Sequence, residues 1–357
     1  MKVLVAMSGG VDSSVAAALL VAEGHEVTGV TMRLWGGESD TGCCSVSDVD
    51  DARRAAQQIG VDHLVFNFSD DFDDRVVAPY VRDHAEGLTP NPCIECNRHL
   101  KFARLVERGR LLGFDAVATG HHARIVAAPD GRPRVVRGAD AAKDQSYVVH
   151  MLCGADLSYV LFPIGGMTKD AVRTEAARLG LRTASKPDSQ DVCFIARDGG
   201  RARFLADRLP FTPARVVDEA GAELGRLEAM ELVTVGQRRG IGLAGGAPKR
   251  VVLRVDRASA TVVVGDERAL DRPTTSVREL AWPHEGDAGV VGSGREVLVQ
   301  SSAHGAVHAA LLEHGRDGTV EIRWRVPQRA VAPGQTTVFY DATNQFVLGG
   351  GISCATS

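Results

Sequence analysis

The first hydrophobic block of the chain, Val3-Leu4-Val5-Ala6, runs without a polar interruption, as a strand covered on both faces does. A Ser-Gly-Gly turn follows. Val11, Val15, Ala18, Leu19 and Ala22 then recur at helical spacing, predicting a helix with those positions on its apolar stripe. The alternation continues: 25–32 predicts a second strand, 48–59 a helix stopped at Gly60, and 61–66 a third strand. Beyond them, 76–84 and 98–112 predict helices, 115–120 a strand ending on a glycine, and 170–179 a helix stopped at Gly180. Strands alternating with helices predict a parallel sheet clothed in helices, with ligands beyond the carboxyl ends of the strands. Met32, Gly120 and the first turn fall on that edge.

Beyond about residue 202 the texture changes. Short β-branched segments at 232–235, 250–255, 261–264, 296–300, 320–324 and 336–340 are separated by Gly, Pro and Asp, which predicts one or two small barrels or sandwiches. The expected fold class is α/β: an N-terminal doubly wound parallel sheet followed by two small β-rich domains, with boundaries at 1–204, 205–274 and 275–357. Composition changes this picture little. With 357 residues, 44% hydrophobic and 24% charged, the chain reads as a soluble globular protein of two or three domains. There is no run of eighteen apolar residues and no basic-then-apolar leader pattern, so the expectation is a cytoplasmic protein with no membrane contact. The net charge of −4 excludes a strong, uniform polyanion-binding surface. Any contact with RNA then rests on a local patch, for which Arg238, Arg239, Lys249 and Arg250 are candidates, with solvated surface charge as the alternative.

Chemistry first enters at the opening turn. A strand, a glycine turn and a helix start form an anion site, because free N–H groups point outward at the helix end and glycines let an anion approach the main chain. A Walker loop would need a wider glycine gap and a Gly-Lys-Ser/Thr ending, and a dinucleotide fingerprint would need Gly-x-Gly-x-x-Gly; Ser8-Gly9-Gly10-Val11-Asp12-Ser13 is neither. It resembles instead the pyrophosphatase loop, Ser-Gly-Gly-x-Asp-Ser, of enzymes that split ATP between the α and β phosphates and adenylate a substrate oxygen.

The cysteines are the second chemical feature. Seven of them in a chain with no secretory pattern read as reduced thiols rather than a disulfide framework. Thr89-Pro90-Asn91-Pro92-Cys93-Ile94-Glu95-Cys96-Asn97 is a loop stiffened by its prolines, and the helix predicted over 98–112 puts Cys96 near a helix N-terminus, where a thiolate is favoured. Cys193, in Asp188-Ser189-Gln190-Asp191-Val192-Cys193-Phe194, is the third candidate. Cys153 and Cys354 read as small buried hydrophobes and the vicinal Cys43-Cys44 as structural. A zinc site on Cys93, Cys96 and Cys193 is the competing reading, although a second Cys-x-x-Cys or a histidine pair is missing.

Together with these stretches, Cys43-Cys44-Ser45, Asp51-Ala52-Arg53, Ala118-Thr119-Gly120-His121, Lys143-Asp144-Gln145-Ser146-Tyr147, Gly236-Gln237-Arg238-Arg239-Gly240, Pro333-Gly334-Gln335 and Leu348-Gly349-Gly350-Gly351 make most of the chain resemble the tRNA-specific 2-thiouridylase family. Argininosuccinate, GMP and NAD synthetases share the loop without this combination. The resemblance implies an adenine nucleotide α-hydrolase-like first domain and ATP-dependent adenylation of C2 of wobble uridine 34, followed by sulfur transfer. By position it implies ATP and Mg²⁺ at Ala6, Met7, Ser8, Gly9, Gly10, Val11, Asp12, Ser13, Met32 and Gly120. Cys96 matches the nucleophile and Cys193 the persulfide carrier; Asn91, Pro92 and Cys93 border the target base; His121, Lys143, Asp144, Gln145 and Gln335 match tRNA contacts. The implied partners are the anticodon stem-loop of tRNA and a sulfur donor such as a cysteine desulfurase or sulfur-relay protein, with the enzyme a monomer.

Two departures stand out. Many relatives carry aspartate where this chain has Cys93, and the family's Arg-Tyr contact in the last domain is replaced near Ser302-Ala303. The three cysteines Cys93, Cys96 and Cys193 also leave open a [4Fe–4S] cluster in place of a persulfide. Synthesis of 2-thiocytidine or 4-thiouridine, and a metal-stabilised, nucleotide-responsive RNA-binding protein, are the alternative functions.

Overall fold

The computed structural model describes residues 1–34, 46–188, 192–195, 200–243 and 249–354. Its first unit is a parallel sheet in the order β3-β2-β1-β4-β7, made of β1 (Lys2–Ala6), β2 (Glu26–Arg33), β3 (Asp62–Asn67), β4 (Ala116–Ala118) and β7 (Val160–Leu161). The apolar run of β1 is explained by its central place: Val3, Leu4 and Val5 are fully buried, Leu4 toward one hydrophobic cluster and Val3 and Val5 toward another. The order reverses between β1 and β4, which pair with Val5 opposite Ala118. A crevice therefore opens at the carboxyl ends of these two strands, the usual ligand position in such sheets.

Helix α1 (Val11–Ala22) is buried over more than the predicted stripe. It lies between the sheet, where Ala17 and Leu20 join Val3 and Val5, and the helix Lys169–Arg178, where Val11 and Val15 join Val172 and Ala176. Ala22, expected on the stripe, is exposed. The hairpin β5 (Ala123–Ala127) and β6 (Pro133–Arg137) follows β4 and was not foreseen.

The second unit is a sheet in the order β10-β11-β8-β9, formed by β8 (Ala214–Val217), β9 (Glu223–Leu227), β10 (Val251–Asp256) and β11 (Thr261–Gly265). The strand expected at 232–235 is instead a short 3-10 turn, Met230–Leu232, and an irregular stretch in which Thr234 N–H donates to Gln237 Oε1. Val233 is buried in this unit's core without a strand partner, so the strand expected there is not formed although its β-branched residue packs inside.

The third unit closes into a barrel in the order β12-β15-β14-β13-β16-β17. Its strands are β12 (Asp271–Ala281), β13 (Glu296–Gln300), β14 (Val307–His314), β15 (Val320–Arg329), β16 (Thr336–Tyr340) and β17 (Val347–Ser353). Closure comes from β12, which pairs with both β15 and β17. No helix among the described residues is long and apolar enough to cross a membrane. Of the proposed basic patch, Arg238 pairs with Glu267, which also holds Arg329.

The barrel is fastened to the first unit by buried polar contacts. Arg134 of β6 makes a two-pronged ion pair with Asp287 at 2.6 and 2.7 Å, both side chains being about nine-tenths buried. Arg137 lies 3.7 Å over the ring of Tyr340 and donates to Asp144, Gln300 and Asn344. Gln335 Nε2 donates to the Thr89 carbonyl at 2.8 Å, and Thr89 N–H donates to the Pro333 carbonyl at 2.7 Å.

Two predictions follow from these junctions. Arg134→Met strands the Asp287 carboxylate in a buried setting and is expected to lower stability by about 3 kcal/mol in urea unfolding. His84 and His150 are pushed down to about 4 by burial, reinforced at His84 by Arg201 and at His150 by Arg98, so both are neutral when folded. The unfolded chain takes up these protons near 6.5, so stability is full above that pH and falls as pH drops toward 4. His84→Gln and His150→Gln are each expected to flatten that slope in unfolding measured across the window.

Candidate functional site

The site begins with two backbones that meet. Gly9 has φ +71, and a Cβ there would lie 2.5 Å from the Asp48 carbonyl oxygen, so this glycine is required by its own turn and by the start of helix α2 (Val46–Ile59). At Gly120 a Cβ would lie 2.6 Å from Ser13 N and 2.7 Å from the Asp12 carbonyl carbon; only glycine lets the end of β4 press against the start of α1. Gly10, the N-cap of α1, has an ordinary φ of −93. Its carbonyl accepts from the hydroxyls of Ser13 and Ser14 at 3.2 and 2.9 Å, and Ser8 N–H donates to Ser13 Oγ at 3.2 Å. The hydroxyls hold the turn in shape while the first N–H groups of α1, which have no intrahelical partner, stay available to an anion.

An ion network that the sequence did not reveal lies behind the turn. Lys169 Nζ sits 2.8 and 2.7 Å from the two oxygens of Asp12 and 3.0 Å from Asp188, and His122 Nε2 is 3.2 Å from Asp12. Asp188 also holds Lys143 at 2.8 Å and Arg173 at 2.7 Å. Burial pushes Asp12 up, but hydrogen bonds from His122 and Lys169 outweigh it and hold the carboxyl below its usual range. The same competition, won by Lys143 and Lys169, keeps Asp188 well below that range. His121 is fully buried, and that burial, with Lys101 and His122 nearby, holds it neutral; its Nδ1 shares a 2.6 Å hydrogen bond with Thr119 Oγ1.

In the cysteine loop, Pro92 occupies the first helical turn and Asn91 caps it, its Oδ1 accepting from Cys93 N–H at 3.1 Å. The helical stretch then runs on through Pro92–Cys96, a π-type turn at Asn97–Arg104 and Leu105–Leu111. This corrects the expectation for Cys96: the helix starts earlier than residue 98, so Cys93 stands in its first turn. Cys96 lies further along, 7% exposed, in an apolar cluster with Leu100, Tyr147 and Phe194. Cys193 packs against the same cluster, anchored by its neighbour Phe194, whose ring meets Phe72, Tyr80 and Phe204 at 5.5, 5.6 and 5.1 Å.

A cavity of about 340 Å³ joins these parts. Ala6, Met7, Ser8, Asp12, Ser13, Met32 and Gly120 line it from the opening turn and the strand ends beside that turn, while Gly9, Gly10 and Val11 complete the turn without facing it. Pro92, Cys93, Cys96 and Cys193 line the same cavity, with Asn91 as the cap of the cysteine helix. Of the expected RNA contacts, His121, Asp144 and Gln145 line the cavity. Lys143 lies outside it on Asp188, and Gln335 outside it on Thr89. Sequence reasoning missed Lys101 and Tyr147 in the walls and His304, which reaches the cavity from the barrel beside Ala303, where the family's contact is replaced. The turn carrying them is closed by Gly305 N–H on Ser302 O and gripped by Gln300, whose amide donates to the carbonyls of Ser302 and Ala303.

The metal expectation is not met. Among the described residues no three His, Cys, Asp or Glu side chains come together to hold a metal ion; Cys93, Cys96 and Cys193 line the cavity outside any disulfide and do not form such a group. Cys153, expected to be buried, is exposed, and Cys354 is partly so. Cys43, Cys44, Ser189, Gln190 and Asp191 lie outside the described residues.

Comparison with known proteins matches the three units in turn. Residues 1–197 match the tRNA methyl transferase HUP domain, 202–266 the tRNA methyl transferase PRC-barrel domain, and 275–352 the aminomethyltransferase beta-barrel domain. The chain is 46% identical over 356 residues to the tRNA-specific 2-thiouridylase MnmA of Chloroflexus aurantiacus, covering 98% of this chain and 97% of that one. It is 46% identical to the protein of that name from Acidothermus cellulolyticus, covering 98% and 96%.

The close approach at the turn yields a test. Gly120→Ala is expected to cost about 1–3 kcal/mol in denaturant unfolding, because backbone must move to admit the methyl. Gly166→Ala, where nothing lies within 4 Å, is expected to stay within about 0.5 kcal/mol of the parent.

Proposed function

The chain belongs to the family of tRNA-specific 2-thiouridylases, and from that membership we infer that it is a tRNA-uridine 2-sulfurtransferase, using ATP to replace the C2 oxygen of the wobble uridine with sulfur. The observation that supports this most directly is the single cavity onto which the Ser8–Asp12–Ser13 turn, Cys96 and Cys193 all face. Splitting ATP and transferring sulfur to the same carbon require one chamber for both.

The C2 oxygen is a poor leaving group. In the first step it attacks the α phosphorus of ATP, a bond to pyrophosphate breaks, and the oxygen becomes part of an adenylate. The N–H groups at the start of α1 and the hydroxyl of Ser8 are set to bind the phosphate oxygens, while the Ser13 hydroxyl holds the turn through the Gly10 carbonyl. The donor set suits Mg²⁺, since Asp12 offers a carboxylate beside the phosphate position; the ion would neutralise phosphate charge.

Sulfur transfer follows in the same cavity. A sulfur donor such as a cysteine desulfurase or relay protein loads Cys193 as a persulfide, whose terminal sulfur attacks C2 and displaces AMP. The Cys96 thiolate then attacks Sγ of Cys193, the sulfur–sulfur bond to the base breaks, and 2-thiouridine leaves with that electron pair. The Cys96–Cys193 disulfide so formed is returned to two thiols by a thiol reductant. Neutral, buried His121 and the shaped wall of Asp144 and Gln145 border the base, as do Asn91, Pro92 and Cys93; Lys143 and Gln335 flank the RNA path. We place the reaction in the cytoplasm and treat the enzyme as a monomer acting on the anticodon stem-loop.

Cys96→Ser and Cys193→Ser are expected to reduce 2-thiouridine formation to background while tRNA-dependent pyrophosphate release continues. Nucleoside mass spectrometry of the reacted tRNA, alongside a pyrophosphate assay, reads both. Wild-type sulfur transfer by either variant removes that cysteine from the scheme, and 2-thiocytidine or 4-thiouridine as the product overturns the substrate assignment.

A further inference from the structure

The opening turn has one charged side chain, and it has the wrong sign for its ligand. Residues 8–14 contain no lysine or arginine, while the carboxylate of Asp12 faces the cavity. A triphosphate entering at the start of α1 meets that negative charge unless a cation stands between them. Phosphate loops of the Walker type carry such a cation in their own sequence. Here one arrives from 157 positions away.

Lys169 is placed for this by the core. It is the first residue of the helix Lys169–Arg178, whose Val172 and Ala176 share a hydrophobic cluster with Val11 and Val15 of α1, so the lysine and the turn are held on one rigid support. Thr168 caps the helix by accepting from Ala171 N–H, and Lys169 N–H donates to Asp140 at 2.9 Å. The side chain is only 10% exposed and its ammonium is shared between Asp12 and Asp188. Both carboxylates keep another partner if it leaves: Asp12 has His122, and Asp188 has Lys143 and Arg173. Lys169 can thus change partners while both carboxylates keep one.

We propose that Lys169 supplies the cation missing from the pyrophosphatase loop, its ammonium moving from Asp12 to the β and γ phosphates of ATP and holding the pyrophosphate as it leaves. The proposal rests on the nucleotide-binding reading above. It assigns Lys169 to the distal phosphates because the α phosphorus must lie within reach of the base beside the cysteines, whereas Lys169 is not among the lining residues and meets the cavity through Asp12.

Isothermal titration in metal-free buffer with ATP, pyrophosphate and AMP tests it. Lys169→Met is expected to weaken ATP and pyrophosphate about ten- to hundredfold and to leave AMP unchanged, as loss of a charge-assisted contact to the distal phosphates requires. Lys169→Arg is expected to stay within about threefold of the parent. The double variant Asp12→Asn with Lys169→Met removes the pair together and strands no carboxylate; without metal, losing Asp12 by itself favours a polyanion. Selective weakness for ATP in the double variant therefore supports a direct phosphate contact. Recovered ATP affinity there, equal losses for ATP and AMP in Lys169→Met, or no loss for either, overturns the proposal. A parent protein that binds neither ATP nor AMP even when Mg²⁺ is restored overturns the nucleotide reading itself, a different failure from loss of the lysine's role.

Discussion

At the centre of the sheet, the main chain at Asp12 and Ser13 fills the space where a side chain on residue 120 would begin. This contact between a strand end and a helix start decides most of the molecule's business end. It draws the start of α1 against the end of β4, fixes the crevice at the place where the strand order reverses, and sets the wall from which Ser8, Asp12, Thr119 and His121 face one cavity. Gly9 plays the same part on the other flank, where the Asp48 carbonyl leaves no room for a methyl. Sterics at two glycines thus precede any electrostatics in building the site.

Electrostatics then works within that frame by pairing rather than by display. Asp12, Asp144 and Asp188 each have cationic partners, and Gln145 accepts from the His122 amide through Oε1. Several residues expected at the RNA are in this way committed to shaping the walls. Gln335 holds Thr89, and Asp144 receives Arg137, Ser146 and the Gly138 amide. Among the groups near the cavity, His122 Nδ1 is buried with no hydrogen-bond partner, the more notable beside so complete a network.

What the sequence disclosed was local. The run Val3 to Ala6 and the turn after it could be read because strand, glycines and helix are contiguous, and every parallel strand of the sheet except short β7 left a usable signal. The start of the cysteine helix is also legible in principle: Asn91 as cap and Pro92 in the first turn are start signals, whereas prolines read as loop-formers put Cys96 in place of Cys93 near the helix start. Long-range features were opaque. Nothing near Asp12 announces Lys169, and nothing at 296–300 announces that Gln300 grips a turn reaching a distant cavity. Spaced short strands were equally compatible with sandwich or barrel, because closure depends on β12 finding two partners far apart in the chain. Family resemblance, not periodicity, supplied the pairing of Cys96 with Cys193.

The clasp between Gln335 and Thr89 spans 246 positions, and the cap of the cysteine helix, Asn91, lies two residues beyond its carbonyl anchor. During synthesis on the ribosome, the opening turn and its sheet emerge long before the glutamine that steadies that loop. A nascent chain therefore possesses its nucleotide crevice well before its thiol wall is held in place, so maturation of the two halves of the chamber is separated in time by the translation of the barrel.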